Sequence, residues 1–306
     1  MSNINSSIYE FIISKVPANQ VYIDEPMSKH TTFKVGGNAD IFVKISDTDQ
    51  LRELIKCFKR ASIPFFIKGN GSNILVSDRG YQGVVLEIAE LFNEITIEGT
   101  TVKVSSGALM STVSKKVMEA GLKGMEFASG IPGTIGGGVV MNAGAYGGEL
   151  KDIVTEVYVL NEDGEILRLD NKAMEFGYRS SVIKNRSLVV LSVSLSLVRG
   201  DIAQIKATMD DLTQKRVSKQ PLEYPSAGST FKRPDGYFAG KLIMDTGLRG
   251  YTLGGAAVSE KHCGFVINKG QATATDIYEL IQEIQDKVKV KFDVNLEPEV
   301  IFLGDF

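Results

Sequence analysis

Residues 39–45 alternate apolar and polar side chains and are rich in branched residues, which predicts a strand. Asp47 stands at a helix-cap position, and Leu51, Leu54, Ile55 and Phe58 then recur at the helical period. Pro64 restarts the chain into a short apolar strand over 65–68, so this stretch predicts a β-α-β unit. Short strands are predicted over 84–88, 94–98 and 102–105, and a helix over about 109–120 that Gly121 stops. Residues 153–160 and 165–169 flank Asn161-Glu162-Asp163-Gly164, a hairpin signal, and 188–198 reads as one long strand. After Arg199-Gly200 the pattern changes. A helix over about 202–216 carries Ile202, Ile205, Met209 and Leu212 on one face, Pro221, Pro225 and Pro234 mark an irregular stretch, and a last helix over about 276–289 carries Ile277, Leu280, Ile281, Ile284 and Val288. A domain boundary is therefore expected near 199–202.

Composition narrows the class. The 306 residues hold 34 Lys+Arg against 37 Asp+Glu, a net charge of −3, which argues against a general nucleic-acid or membrane-surface binder. At 43% hydrophobic and 23% charged, the chain reads as globular. No apolar run reaches the ~18–20 residues that span a bilayer, and residues 1–10 carry no leader pattern. Two cysteines, Cys57 and Cys263, are too few for a disulfide scaffold or a four-cysteine metal site, so a reducing cytoplasm is the expected home.

The 31 glycines change the picture because they cluster. One cluster, Gly69-Asn70-Gly71-Ser72-Asn73, follows a predicted strand. A second fills 130–138 as Gly130-Ile131-Pro132-Gly133-Thr134-Ile135-Gly136-Gly137-Gly138, with Asn142-Ala143-Gly144-Ala145-Tyr146-Gly147 behind it. Loops that cradle a diphosphate need backbone N–H groups at close range, where side chains would obstruct. Tight turns alone also use glycine, but two such loops within 70 residues favour a nucleotide. A Walker A loop fails because Leu242 follows Lys241 where Ser or Thr must hold magnesium, and a Rossmann fingerprint lacks its third glycine. His30 and His262 are far apart and read as structural or surface residues, and no cluster has metal-ligand spacing. Three polar clusters remain: Tyr178-Arg179-Ser180-Ser181, Ala227-Gly228-Ser229-Thr230-Phe231-Lys232, and Leu296-Glu297-Pro298-Glu299-Val300. Each also has a bland reading, as an ion pair, a turn or a solvated strand face. On their own they say nucleotide-linked enzyme with the chemistry open.

Together, in this order, these five motifs resemble the MurB family, the UDP-N-acetylenolpyruvoylglucosamine reductases of bacterial peptidoglycan precursor synthesis. The resemblance runs from about residue 31 to 303. It implies an α+β fold: an N-terminal segment (1–30), a vanillyl-alcohol-oxidase/PCMH-type FAD-binding region of two subdomains (31–199), and a C-terminal α+β substrate-binding domain (200–306) whose last strand returns to the flavin. With no room for an extra tyrosine-bearing segment, the chain resembles the type II enzymes. Arg233 stands where some relatives have Asn.

The resemblance also implies the chemistry. NADPH gives a hydride to N5 of a non-covalent FAD, since neither glycine loop holds a His or Cys for attachment. The enolpyruvyl ether of UDP-N-acetylglucosamine then takes the hydride at C3 and a proton at C2. Arg179 would meet the carboxylate, Glu299 would act as an acid or position Arg179, and Ser229 would donate the proton. Gly69, Asn70, Gly71, Ser72, Asn73, Gly130, Ile131, Pro132, Gly133, Gly136, Asn142 and Gly144 would bind FAD. Tyr178, Lys232 and Arg216 would bind substrate. No metal, nucleic-acid or membrane partner is expected. Two alternatives stay open: another FAD-linked oxidase of the same fold, and a nucleotide-binding module, against which Arg179, Ser229 and Glu299 together argue.

Overall fold

The computed structural model describes residues 6–306; the leader reading over 1–10 falls in part on residues 1–5, outside the described residues. The first layer is a four-stranded sheet of β1 (Val21–Pro26), β2 (Asn38–Lys44), β3 (Phe65–Lys68) and β5 (Tyr81–Glu87), in the order β1-β2-β5-β3. After helix α1 (Ser6–Lys15), helix α2 (Thr48–Arg60) starts where Asp47 accepts the Gln50 N–H at 2.8 Å, and it buries Leu51, Leu54, Ile55 and Phe58 against Ile41, Val43, Val84 and Leu86. The predicted β-α-β unit is real in direction but not in adjacency. β2 and β3 are each parallel to β5, which lies between them. Val84, Val85 and Leu86 are all fully buried, and such a run belongs at the centre of a parallel sheet, whereas half-buried β3 takes the edge.

The second layer is a five-stranded sheet. Its strands are β6 (Ile95–Glu98), β7 (Thr101–Ser105), β8 (Val154–Leu160), β9 (Ile166–Asp170) and β10 (Val189–Ser196), in the order β9-β8-β10-β7-β6 and antiparallel throughout. Helices α3 (Met110–Glu119) and α4 (Ile135–Val140) pack on it through Val113, Val117, Ile135 and Val139. Here one expectation fails. Residues 130–138 are not a single loop, because Ile135–Val140 is helical, capped by Thr134 Oγ1 accepting the Gly137 N–H. A Cβ on Gly136 would stand 2.7 Å from Ser106 Cβ, and one on Gly138 2.8 Å from Met110 Sδ. These two glycines let the helix lie against its neighbours. The long strand expected over 188–198 also breaks, at Leu197, before Val198–Arg199 pairs with Leu122–Lys123.

The C-terminal part packs α6 (Ala239–Asp245) and α7 (Ala274–Phe292) on a small sheet of β11 (Thr252–Leu253), β12 (Ala256–Val258) and β13 (Val266–Asn268). Ile277, Leu280, Ile281, Ile284 and Val288 are fully buried, as their period predicts. Phe33, Val35 and Leu75, from the other side of the expected boundary, belong to the same core. The last strand, β14 (Ile301–Leu303), pairs in parallel with β4 (Ile74–Val76), directly after the first glycine loop. Asp78 ties the halves again by accepting the Ala274 and Thr275 N–H groups at 2.8 Å, at the start of α7. Helix α5 (Ile202–Lys219) differs from its predicted face. Only Ile205 is buried, and Ile202 is 48% exposed.

Candidate active site

The site grows from two loops. Gly71 takes φ +66, and a Cβ there would stand 2.1 Å from His30 O, so only glycine lets the loop rest on that carbonyl. Gly71 O accepts the Thr32 N–H at 3.2 Å. A Cβ on Gly69 would meet Thr134 Oγ1 at 2.3 Å, and Asn70 Nδ2 donates to Pro132 O at 2.6 Å, so the two glycine loops touch. The N–H groups of residues 69–73 have no acceptor among the described residues, and neither do those of Gly130, Gly133 and Thr134. Under the first loop lies a buried ionic group. Lys68 Nζ donates to Glu87 at 2.5 Å, and His30 bridges Glu87 and Glu25.

A cavity of about 760 Å³ opens between these loops and the C-terminal part, of a size that holds a cofactor. Ser72, Asn73, Gly130, Ile131, Pro132 and Gly144 line it. The other loop residues stand behind this wall: Gly69, Asn70, Gly71 and Gly133 shape the loops without lining the cavity. Two expected cofactor residues are placed differently. The Gly136 N–H is used by Ser106 O at 2.8 Å inside α4. Asn142 is 1% exposed, and its side chain is spent on Glu149, Gly177 O and the Lys151 N–H. Both hold the scaffold, because close packing consumed the polar groups that a ligand would need.

Several groups on the first cavity's wall lack partners among the described residues. Thr32 Oγ1 and Gln220 Oε1 are buried without a hydrogen bond. Arg216 has no carboxylate partner among the described residues, lies against Gly130, and has its pKa lowered by burial. Arg216 was expected at the substrate. It lines the first cavity, where α5 runs past the 130–134 loop. Unpaired N–H groups, a half-buried cation without a carboxylate partner and unsatisfied polar atoms suit a diphosphate-bearing cofactor.

A second cavity, of about 430 Å³, adjoins the first. Arg179, Ser229, His262 and Glu299 line both, so they form the shared wall. Arg179 Nε donates to both Glu299 oxygens, at 3.0 and 3.2 Å, across 120 residues of chain. Arg179 adopts φ +53, a strained position for a side-chain-bearing residue, in a tight loop closed by Gly177 and Ser180 and held by Lys184 Nζ on Arg179 O. Burial raises the Glu299 pKa, and the Arg179 charge opposes this without cancelling it. The Glu299 N–H donates to Thr230 O, and the Lys232 N–H to Glu297 O, so the Ser229 and Glu299 segments are zipped side by side. Ser229 Oγ–H has only a 3.3 Å contact to Phe231 O and is free to turn.

Tyr178 lines the second cavity, and its hydroxyl accepts the Arg233 N–H at 3.0 Å. Arg233, Lys241, Arg249 and Lys261 line it too, and together they make a largely cationic wall. Lys232 is not on either wall. Its ammonium pairs with Glu297, because the zipper turns it that way. His262, read as bland, is on both walls. Its Nδ1 accepts the Gly264 N–H at 3.1 Å, which leaves the ring hydrogen on Nε2, and burial lowers its pKa. Thr32, Gln220 and His262 carry no spacing or motif that could have marked them.

This geometry can now be set beside known proteins. Residues 39–170 match the family described as FAD binding domain, and residues 220–303 match the UDP-N-acetylenolpyruvoylglucosamine reductase C-terminal domain. A UDP-N-acetylenolpyruvoylglucosamine reductase of Clostridioides difficile is 53% identical over 301 residues, 98% of this chain and 99% of that one. One of Alkaliphilus oremlandii is 50% identical over 97% of this chain and 98% of its own. The crystal structure of the enzyme from Thermus caldophilus superposes with a TM-score of 0.79 at 32% identity, covering 93% of this chain and 98% of that one. A variant of Phl p 4, a glucose oxidase, shares the fold at a TM-score of 0.51 and 13% identity. The expected α+β flavin-binding fold with its added C-terminal domain is borne out. With relatives this similar over nearly its whole length, the chain belongs to the UDP-N-acetylenolpyruvoylglucosamine reductase family.

Proposed function

We propose that this protein uses NADPH and a non-covalent FAD to reduce the enolpyruvyl ether of UDP-N-acetylglucosamine to UDP-N-acetylmuramate, a cytoplasmic step of peptidoglycan synthesis. One observation carries the reading: Arg179, Ser229 and Glu299 form the wall between a cavity edged by unpaired N–H groups and a cavity edged by cations. Bound in the first cavity, FAD supplies the hydride relay from nicotinamide to the enolpyruvyl group. The residues that would hold it are Ser72, Asn73, Gly130 to Pro132 and Gly144, with Arg216 as the nearby cation. The second cavity takes the UDP-sugar, with Arg233, Lys241, Arg249 and Lys261 facing its phosphates and Tyr178 at its edge.

The side chains divide the remaining work. Hydride addition at C3 puts negative charge on C2 and into the carboxylate. The Arg179 guanidinium, fixed in advance by Glu299, stabilises that charge more in the transition state than in the ground state. Burial raises the Glu299 pKa, which favours its acid form; in that form it can donate to the substrate carboxylate, and when ionised it holds Arg179. Ser229 then gives its proton to C2, which is basic enough to accept from a positioned hydroxyl. No helix of the described residues is long and apolar enough to cross a membrane, and no His/Cys/Asp/Glu group among them could hold a metal ion.

The test is an absorbance scan of purified protein, followed by anaerobic NADPH and then the enolpyruvyl substrate. The flavin band should bleach with NADPH and return with substrate. Bleaching with return only on admitting oxygen would favour an oxidase of the same fold.

A further inference from the structure

We propose that Asn73 is a positioning residue that couples the cofactor loop to the reduction centre. It belongs to the first glycine loop and lines the first cavity, and its backbone N–H is one of the five without an acceptor. Its side-chain amide N–H and its backbone O are committed elsewhere. Its side-chain Nδ2 donates to Glu299 O at 2.8 Å, across 226 residues of chain. Its backbone O accepts the Ile301 N–H at 3.0 Å, at the start of the β4–β14 pairing. One residue thus grips the two peptide groups that flank Val300, directly after Glu299.

The consequence follows from what else holds that segment. The Glu299 N–H goes to Thr230 O, and Phe231 bridges Pro298, so the Glu299 and Ser229 segments move as one unit. That unit meets the loop through Asn73. When a diphosphate orders the 69–73 loop, Asn73 carries that order to Glu299, then to Arg179 and Ser229. Without the amide donor, Glu299 O loses its partner and the unit can drift. A misplacement of about 1 Å at a reaction centre costs on the order of 100-fold in rate. The step that suffers is proton and charge delivery to the enolpyruvyl group, not hydride entry from NADPH.

This inference rests on the proposed reductase reading, and the experiment separates the two. Wild type, Asn73→Ala and Asn73→Asp are compared as holoproteins in anaerobic stopped flow, with FAD saturating. Failure of wild type to be reoxidised by the enolpyruvyl substrate sinks the reductase reading itself. If wild type turns over, Asn73→Ala should slow reoxidation by the enolpyruvyl substrate roughly 10–100-fold more than it slows reduction by NADPH. Asn73→Asp gives the signature that a merely structural role would not move. Its protonated carboxyl can donate to Glu299 O, whereas its carboxylate repels that carbonyl. Arg179, Glu299 and Lys184 also carry charge in this region, so each rate is taken relative to wild type at the same pH. The relative reoxidation rate of Asn73→Asp should rise from about pH 8 to about pH 5 as the new carboxyl protonates. Equal slowing of both halves, a flat relative profile, or loss of flavin from both variants would overturn the coupling and leave Asn73 a loop residue only.

Discussion

At the scale of single residues the site works by pre-arrangement. Arg179 is held in a left-handed backbone conformation and aimed by Glu299, so the cation spends no reorganisation when charge appears on the substrate. Ser229 Oγ makes no hydrogen bond to the cofactor loops or to a charged side chain among the described residues. Ser229→Ala should therefore leave flavin reduction by NADPH near wild type while slowing reoxidation by substrate by roughly 10²–10⁴-fold, the usual worth of a positioned acid. Stopped-flow traces of the two halves check this, and equal slowing of both would point to a folding defect. Glu299 gives a pH prediction. Burial raises its pKa and Arg179 pulls it back. Arg179→Met removes the largest influence opposing burial and leaves only the charges of Lys184 and Lys232, so the pKa should rise further. The Glu299 limb in the pH profile of the residual reoxidation rate should move to higher pH, and a limb that moves down would refute the assignment.

At the scale of elements the glycines divide into two jobs. Gly136 and Gly138 let α4 pack against Ser106, Met110 and Leu150, whereas the loop glycines admit a ligand or a tight turn. Gly136→Ala adds a methyl where Ser106 stands 2.7 Å away, and such overpacking costs about 1–3 kcal/mol. Denaturation should show that loss with flavin affinity of the folded fraction little changed. Gly133→Val should do the reverse. Its new atoms first meet the flexible Met110 Cε at 3.2 Å and then Ser72 Oγ at 3.4 Å, on the cavity side, so flavin occupancy should fall more than stability. A flavin titration beside a thermal melt distinguishes the two.

At the scale of the whole molecule the buried Lys68–Glu87–His30 group ties the first sheet to the segment under the cofactor loop. Burial alone would raise the Glu87 pKa, but hydrogen bonds and charge from His30 and Lys68 win and depress it to about 2. A depressed carboxyl stabilises the fold above its unfolded pKa and loses that stabilisation as pH falls. Glu87 should therefore contribute fully above about pH 5 and progressively less down to about pH 2. Glu87→Gln should be less stable than wild type at neutral pH, and the gap should close through that window in urea titrations. A gap that widens on acidification would reverse the sign of the coupling.

Much of this molecule was written in local pattern. The faces of α2 and α7, the hairpin at 161–164 and the first glycine loop depend on the spacing of a few neighbouring side chains, and the ordered motifs carried the family. What needed the tertiary structure was every feature set by segments far apart in the chain. β5 enters between β2 and β3 because its run is apolar on both faces. Gly136 and Gly138 belong to a helix that lies tight against Ser106 and Met110, residues outside their own segment. Lys232 turns to Glu297, and Arg216 reaches the first cavity, because a strand zipper and a helix carry them there. Arg179, Ser229 and Glu299 meet at one wall because β14 returns to β4. Composition and periodicity encode which face of an element is buried, but not which distant element covers it. That choice is made by the packing of the whole chain.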